Sequence, residues 1–386
     1  MPEPGGLPGE KVPTKFALSI GTQASHAVFD PAFATASRLD VDLGNLGVVT
    51  DSAKQHQEQH IDRYVVQTTL EPRDGLLDLV QQGTLTGWRT ASRVGDTAAV
   101  AFGADRIEAH GRVDGIDRDH AAALLTALSG LFATLPPAAA MQHGDAALSA
   151  PGRAALRALI EATRGVITGM QGEETIEGMH IAVAGQGEAT VRKVRLGLDG
   201  AALDGMLRAA FEIGLDGMAA QNMPQQTMSL VPRHVELRPS ISGVSLAGLI
   251  ALALEATDEN ADQGKLAVDA EALLTQGGVT VGLDALELNV GPAELRGRGH
   301  VLVTGPDEYQ AEAHVTAKGL DDLMKQANGN TSLQQALPVL AMARGFAKPE
   351  GDHLVWNIVA NKAGLTINGV GLGGGKGDKH HHPDKP

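Results

Sequence analysis

Much of the chain alternates between apolar and polar positions. Leu39, Val41 and Leu43 alternate with Arg38, Asp40 and Asp42, and Tyr309, Ala311, Ala313, Val315 and Ala317 alternate with Gln310, Glu312, His314, Thr316 and Lys318. Phe16, Leu18 and Ile20 share one phase near the start, as do Leu354, Trp356, Ile358 and Ala360 near the end. A period of two predicts strands with one apolar and one wet face. Such strands belong to antiparallel sheets. Turn chemistry separates the runs. Glu71-Pro72-Arg73-Asp74-Gly75 joins two of them, because Pro presets φ and Gly accepts φ > 0. Asn361-Lys362-Ala363-Gly364 predicts a C-terminal hairpin.

A second pattern recurs: an extended run ends in Gly and an apolar helical stretch follows. Gly115 precedes a helix over 121–132, Gly200 one over 203–213, Gly243 one over 246–256 and Gly319 one over 323–327. Glycine leaves a strand without a Cβ penalty. Asp117, Ser245 and Asp321 then stand where a side-chain oxygen accepts the first free helix N–H groups, so they are read as helix caps. The predicted fold is α+β, a long curved antiparallel sheet with several helices packed on one face. Residues 1–14 read as a disordered lead-in and 15–135 as an N-terminal α+β half. Residues 136–151 read as a linker or long loop, 152–370 as a C-terminal half of the same architecture, and 371–386 as a disordered Gly/Lys/His tail.

Composition narrows the function. The 386 residues carry 46 acidic and 31 basic side chains, a net charge of −15. That excess argues against nucleic-acid binding, which is driven by neutralising phosphate, and against adsorption to anionic lipid surfaces. With no cysteine there is no disulfide, thiolate metal site or Cys nucleophile. The longest apolar runs, 244–254 and 121–135, are too short to span a bilayer. The opening Met1-Pro2-Glu3-Pro4-Gly5-Gly6 has no basic or apolar region of a signal peptide.

Candidate chemistry is sparse. His56 and His60 would share one helical face, but Glu58 is misplaced for a zincin base and the polar stretch reads as a solvated loop. His380-His381-His382 lies in the Gly/Lys tail, so no metal or cofactor is expected. Gly369, Gly371 and Gly374 match a dinucleotide fingerprint formally, yet they open a charged tail and not a helix. Gly243-Val244-Ser245-Leu246-Ala247 is a near miss to a nucleophile elbow, with His300, His314 and His353 downstream. The cap explains Ser245 together with Asp117 and Asp321, and is preferred.

Residues Leu230-Val231-Pro232-Arg233-His234-Val235-Glu236-Leu237-Arg238-Pro239-Ser240-Ile241-Ser242-Gly243 resemble a segment of the bacterial domain-of-unknown-function family 2125. So do Leu286-Glu287-Leu288, Gly297-Arg298-Gly299, Gly319-Leu320-Asp321-Asp322-Leu323 and Gly364-Leu365-Thr366-Ile367-Asn368-Gly369. The end pattern also resembles AsmA-like periplasmic proteins, and the likeness covers roughly residues 190–370. It implies a periplasmic or inner-membrane periplasmic-side location, lipid or other envelope proteins as partners, and no catalytic residues.

The expectation is therefore a non-enzymatic envelope protein that handles lipid on an apolar sheet face. Tyr309, Ala311, Ala313 and Val315 would line the groove, with Arg233 and Arg238 at its edge for a headgroup. The rival readings are a hydrolase using Ser245 and a scaffold whose sheet is its own core.

Overall fold

A computed structural model describes residues 15–372, except for 32–34, 53–54, 95–98, 135–148, 164–167, 186, 222–230, 276–277, 306–307, 329–333 and 335–336. The alternating runs become β1 (Lys15–Asp30), β2 (Thr35–Asp51), β3 (Gln55–Arg73), β4 (Leu76–Val94) and β5 (Val100–Ile116). Two helices follow, α1 (Arg118–Thr134) and α2 (Ala150–Ala162). Then come β6 (Gly169–Val183), β7 (Gly187–Leu203), β8 (Met206–Ala220) and β9 (Pro232–Ser245), and the pair α3 (Leu246–Ala256) and α4 (Gln263–Thr275). The chain continues through β10 (Val279–Val290), β11 (Ala293–Gly305), β12 (Glu308–Lys318), α5 (Leu320–Asn328) and α6 (Leu337–Phe346). It ends in β13 (Lys348–Glu350), β14 (His353–Asn361), β15 (Gly364–Ile367) and β16 (Val370–Leu372).

All sixteen strands join one antiparallel sheet in sequence order, except that β12 pairs β14 and β13 lies off that path. Because β5 pairs directly with β6, the two halves share one uninterrupted sheet. Asp74-Gly75 and Asp204-Gly205 turn with φ of 51° and 83°, and 51° and 75°. Two successive positive φ values make the two-residue hairpin that matches strand twist.

The second of these turns corrects the helix expected over 203–213. Leu207, Ala209, Phe211, Ile213 and Leu215 alternate along β8, and the turn folds them back on β7. Residues 56–60 are likewise strand β3 and not a loop. The linker ends early, since Ser149 caps α2 by accepting the Gly152 N–H at 3.2 Å and Pro151 sits in its first turn. Residues 1–14, 135–148 and the tail from 373 lie outside the described residues.

One line of positions crosses the sheet without pairing. Asn45, Gly87, Gly178 and Gly217 have φ of 52°, 63°, 64° and 67°. They occupy β2, β4, β6 and β8, and the register sets them beside Gly21, Asp62, Asp105, Arg192 and Arg233 of the intervening strands. Pairing resumes in the same register on the far side. A left-handed residue inside a strand re-aims the chain as a bulge does, and a row of them creases the sheet. A Cβ at Gly87 or Gly178 would collide with the Asp62 or Asp105 carboxylate, so glycine is needed twice over there. The apolar alternation slips by one at the crease. Leu39, Val41 and Leu43 give way to Leu46 and Val48, and Ile213 and Leu215 give way to Met218 and Ala220. Since the left-handed residue turns the following side chain over, the slip keeps the apolar set on one side of the sheet.

The helices gather at opposite rims. β5 and β9 run the same way, so α1 to α4 start from one rim; β12 runs the other way, so α5 and α6 start from the opposite one. Substantial contacts between helix and sheet fall on β9 and β11. Ala317, Leu320 and Trp356 form a buried cluster with Leu323, Met324, Leu340 and Phe346, so α5 and α6 cover the end of β12 and β14. The Trp356 indole N–H donates to the Ala343 carbonyl at 2.7 Å, which locks α6 onto β14. At the other rim Val244, Ile250, Leu254 and Val279 are buried together with α3. Arg157 and Arg153 of α2 reach Asp258 at 2.9 Å and Glu259 at 3.0 Å, tethering α2 to the turn after α3.

Candidate functional site

Directly paired residues in an antiparallel sheet point to the same face. Following one register line gives Leu43, Tyr64, Leu85, Ile107, Ile176 and Val194, then Leu215, Val235, Leu288, Leu295, Ala317 and Leu354. This row is apolar at every position through twelve strands, roughly 50 Å at the usual strand spacing. From β2 to β9 it runs beside the crease. On the far side, Ile20, Leu46, Ile61, Trp88, Ala104, Met179, Val191 and Met218 form a second apolar row.

Exposure falls toward the crease on this face. Leu196 is 37% exposed and its neighbour Val194 6%; Val100 is 42% exposed and Ala104 2%. The two rows therefore shield one another, and the apolar side is the inside of the bend. Trp88 and Phe102 meet edge-on with ring centroids 4.9 Å apart, bracing the far wall. Farther out the same face stays open, with Phe211 49% and Ile213 42% exposed. The molecule thus carries a long apolar trough across its strands. The sequence reading missed it, and its signal was the phase slip beside Asn45, Gly87, Gly178 and Gly217.

Tyr309, Ala311, Ala313 and Val315 do share the apolar face, opposite Val303, Val301, Gly299 and Gly297. Val315 packs against the cluster under α5 and α6, whereas Tyr309 is exposed. The floor is flat at Gly299, where a Cβ would stand 2.8 Å from that of Ala313. Arg238 lies elsewhere. It alternates with Leu237 and Pro239, so it points to the polar face, where Glu212 holds it at 2.5 Å and Glu236 at 3.6 Å. Its place at the groove edge is therefore corrected: it serves the ion-pair network of the opposite face. Arg233 is exposed and sits on the crease line, two residues from Val235.

The polar face is knitted by charge pairs. His234 and Asp216 meet at 2.6 Å, and Arg195 approaches Asp216 at 3.4 Å and Glu236 at 3.7 Å. The hydrogen bond to His234 holds the Asp216 carboxyl below the ordinary carboxylate range, and the His234 and Arg195 charges add to it against the opposing effect of burial. Asp78, 1% exposed, receives Arg112 at 2.6 Å and the Gly115 N–H at 2.9 Å.

The residues read as caps differ. Asp117 accepts the Asp119 N–H at 3.0 Å, and Ser245 Oγ accepts the Gly248 N–H at 3.2 Å. Asp321 lies inside the first turn of α5, and its carboxylate is bound by Arg344 of α6 at 2.9 Å. The Gly319 carbonyl opens that helix, accepting the Leu323 N–H at 3.0 Å. Asp321 therefore joins two helices instead of capping one.

His56 is held toward its protonated form. His56 Nδ1 meets Asp51 at 2.5 Å and Nε2 meets Glu58 at 3.2 Å, which raises its pKa above the usual imidazole range. A metal needs the neutral ring. Among the described residues no three acidic, His or Cys groups converge on a metal position, and the terminal His triplet lies outside them. An open hollow of about 470 Å³ on the polar side is lined by Arg298, His300, Glu312, His314 and Asn357, without Ser245. No helix among the described residues is long and apolar enough to cross a membrane.

No protein-family model, curated protein or solved structure matches the chain.

Proposed function

We propose that the protein is a non-enzymatic cell-envelope protein of the periplasmic side that binds or carries acyl-chain lipid in the trough beside the crease. The observation that carries this reading is the unbroken apolar row from Leu43 to Leu354, partly exposed from β2 to β6 and flanked on the same face by the exposed Leu196, Phe211 and Ile213. Contiguous exposed apolar surface is uncommon on soluble monomers and marks interaction sites. A row crossing the strands suits a linear ligand, since each buried CH₂ contributes about 0.8 kcal/mol. Small residues at Gly299 and Ala313 favour room for a chain, and the exposed Arg233 on the crease line is the cation we assign to its headgroup. Among the described residues the helix–sheet contacts gather on β9, β11, β12 and β14, away from the strands that carry Leu43 to Ile176. The envelope location rests on the resemblance of residues 190–370 described above.

The hydrolase reading has less support. Ser245 Oγ is committed to a helix N–H, and among the described residues no histidine is hydrogen-bonded to it. The scaffold reading remains the outcome if no lipid binds.

A fluorescent polyene fatty acid tests the site. Ile213→Lys puts charge on the exposed apolar face, and Ala210→Lys puts the same charge on the polar face beside Glu212. Binding is expected to fall at least tenfold in the first and to persist in the second. Equal binding in both would place the lipid elsewhere.

A further inference from the structure

Among the described residues, β1 leaves one edge of the sheet open. Of its sixteen residues all but Gly21 pair with β2, no other described strand pairs with it, and Phe16, Leu18, Ile20, Val28 and Phe29 are 67%, 59%, 45%, 43% and 63% exposed. Natural sheets guard such edges with proline, inward charge or short strands. β1 has no proline and a charged side chain only at its ends, whereas the opposite edge strand, β16, has three residues. An unguarded edge of this length offers its free N–H and C=O groups to another strand.

The sequence of β1 says which strand fits. Leu18 pairs with Val48 and Ile20 with Leu46, on the apolar side beyond the crease; Ala27 pairs with Leu39 and Ser25 with Val41, on the apolar side before it. The slip at Gly21 thus sets even-numbered residues of one half and odd-numbered residues of the other on the same face. Turned antiparallel against itself, β1 brings Phe16 opposite Phe29, Leu18 opposite Ala27 and Ile20 opposite Ser25, each pair on one face. Lys15 then meets Asp30 at both ends. A register shifted by one residue would set apolar against polar faces along both arms; in this register only Thr22 and Gln23, which pair with Gly44 and Leu43 on opposite faces, meet out of phase at the axis.

We propose that β1 is a homodimer interface, pairing antiparallel with β1 of a second copy about a twofold axis near Thr22 and Gln23. The contact is isologous, so it closes at two copies and does not propagate into fibres. It joins two sheets into one of thirty-two strands with the apolar faces on the same side. The proposal rests on the edge alone and stands whether or not the trough binds lipid.

The absence of cysteine gives a clean test. In a Leu18→Cys/Ala27→Cys variant, mild oxidation should convert most of the protein to a covalent dimer of about 80 kDa, twice the chain mass of 40.0 kDa. The two positions within one chain are roughly 30 Å apart along the strand, too far to bridge each other. Leu18→Cys/His26→Cys, with one thiol on the other face, should stay monomeric on the denaturing gel. Sedimentation of the unaltered protein should show the dimer at micromolar concentration. Equal cross-linking in both variants, or a monomer at about 100 µM, would overturn the proposal.

Discussion

Gly87 lies across the crease line from Asp62, in the left-handed region at φ 63°, and the Asp62 carboxylate fills the space a Cβ would need. The carboxylate is held there by Arg89 at 2.5 Å and by His60 at 2.9 Å. Side chain and missing side chain are complementary, and the same exchange recurs between Asp105 and Gly178. The bend is therefore written into pairs of neighbouring strands.

Gly87→Ala should destabilise the protein by more than the about 1–2 kcal/mol that left-handed backbone costs an L-residue, because the new methyl meets Asp62. Gly111→Ala, in the neighbouring strand, where a Cβ would come no nearer than 3.9 Å to the Gln171 carbonyl oxygen and φ is not positive, should change stability little. Urea unfolding of the two variants checks this. Equal losses would mean that the crease is not under steric control.

Asp78 anchors the exit from β5 into α1. Removing one partner of a buried ion pair costs about 3–5 kcal/mol, and Asp78→Ala should approach the lower end because Arg112 is partly exposed. Asp78→Asn keeps an acceptor for the Gly115 N–H and should lose less. Amide exchange at Gly115 distinguishes the two: it should accelerate strongly in the alanine variant only. A neutral Asp78→Ala would refute the anchoring role.

Ser245→Ala should cost about 1 kcal/mol through loss of the α3 cap, and Ser245→Asp should restore most of it. A fluorophosphonate probe should leave the protein unlabelled. Stoichiometric labelling that disappears in Ser245→Ala would instead establish a serine nucleophile.

Asp216 has a folded pKa below its unfolded one, so its contribution to stability is present above the unfolded value, near 3.9 for a free aspartate, and is lost as pH falls through the folded value. The stability gap between the unaltered protein and Asp216→Asn should be widest above about pH 5 and should narrow toward about pH 3. Thermal melts across that range measure it. A gap independent of pH would mean that the His234–Asp216 pair carries no such linkage.

What the sequence revealed depended on how far a simple period ran. The 309–317 strand, the Asp74-Gly75 turn, the C-terminal hairpin and the helices after Gly243 and Gly319 were legible because pattern and turn chemistry agreed. β8 was misread because Leu203, Leu207, Ala210 and Phe211 also fit helical spacing; the Asp204-Gly205 turn decides for a hairpin. The trough was illegible for a different reason. Its rows are built from one residue per strand, and the phase slip at Asn45 or Gly217 looks like a broken pattern until the register aligns all the breaks. Arg238 shows the limit for single residues, since its face is set by alternation with Leu237 and its partners come from β8 and β9.

The central claim is that the trough carries lipid, and native mass spectrometry of protein purified without detergent tests it most directly. The account predicts adducts with the masses of fatty acid or phospholipid, lost on organic extraction and strongly reduced in Ile213→Lys. It also predicts that Ala313→Trp, which fills the floor opposite Gly299, lowers occupancy while the fold is retained. Protein that emerges free of lipid and takes up none when offered phospholipid vesicles or fatty acid would contradict the account and leave the scaffold reading in its place.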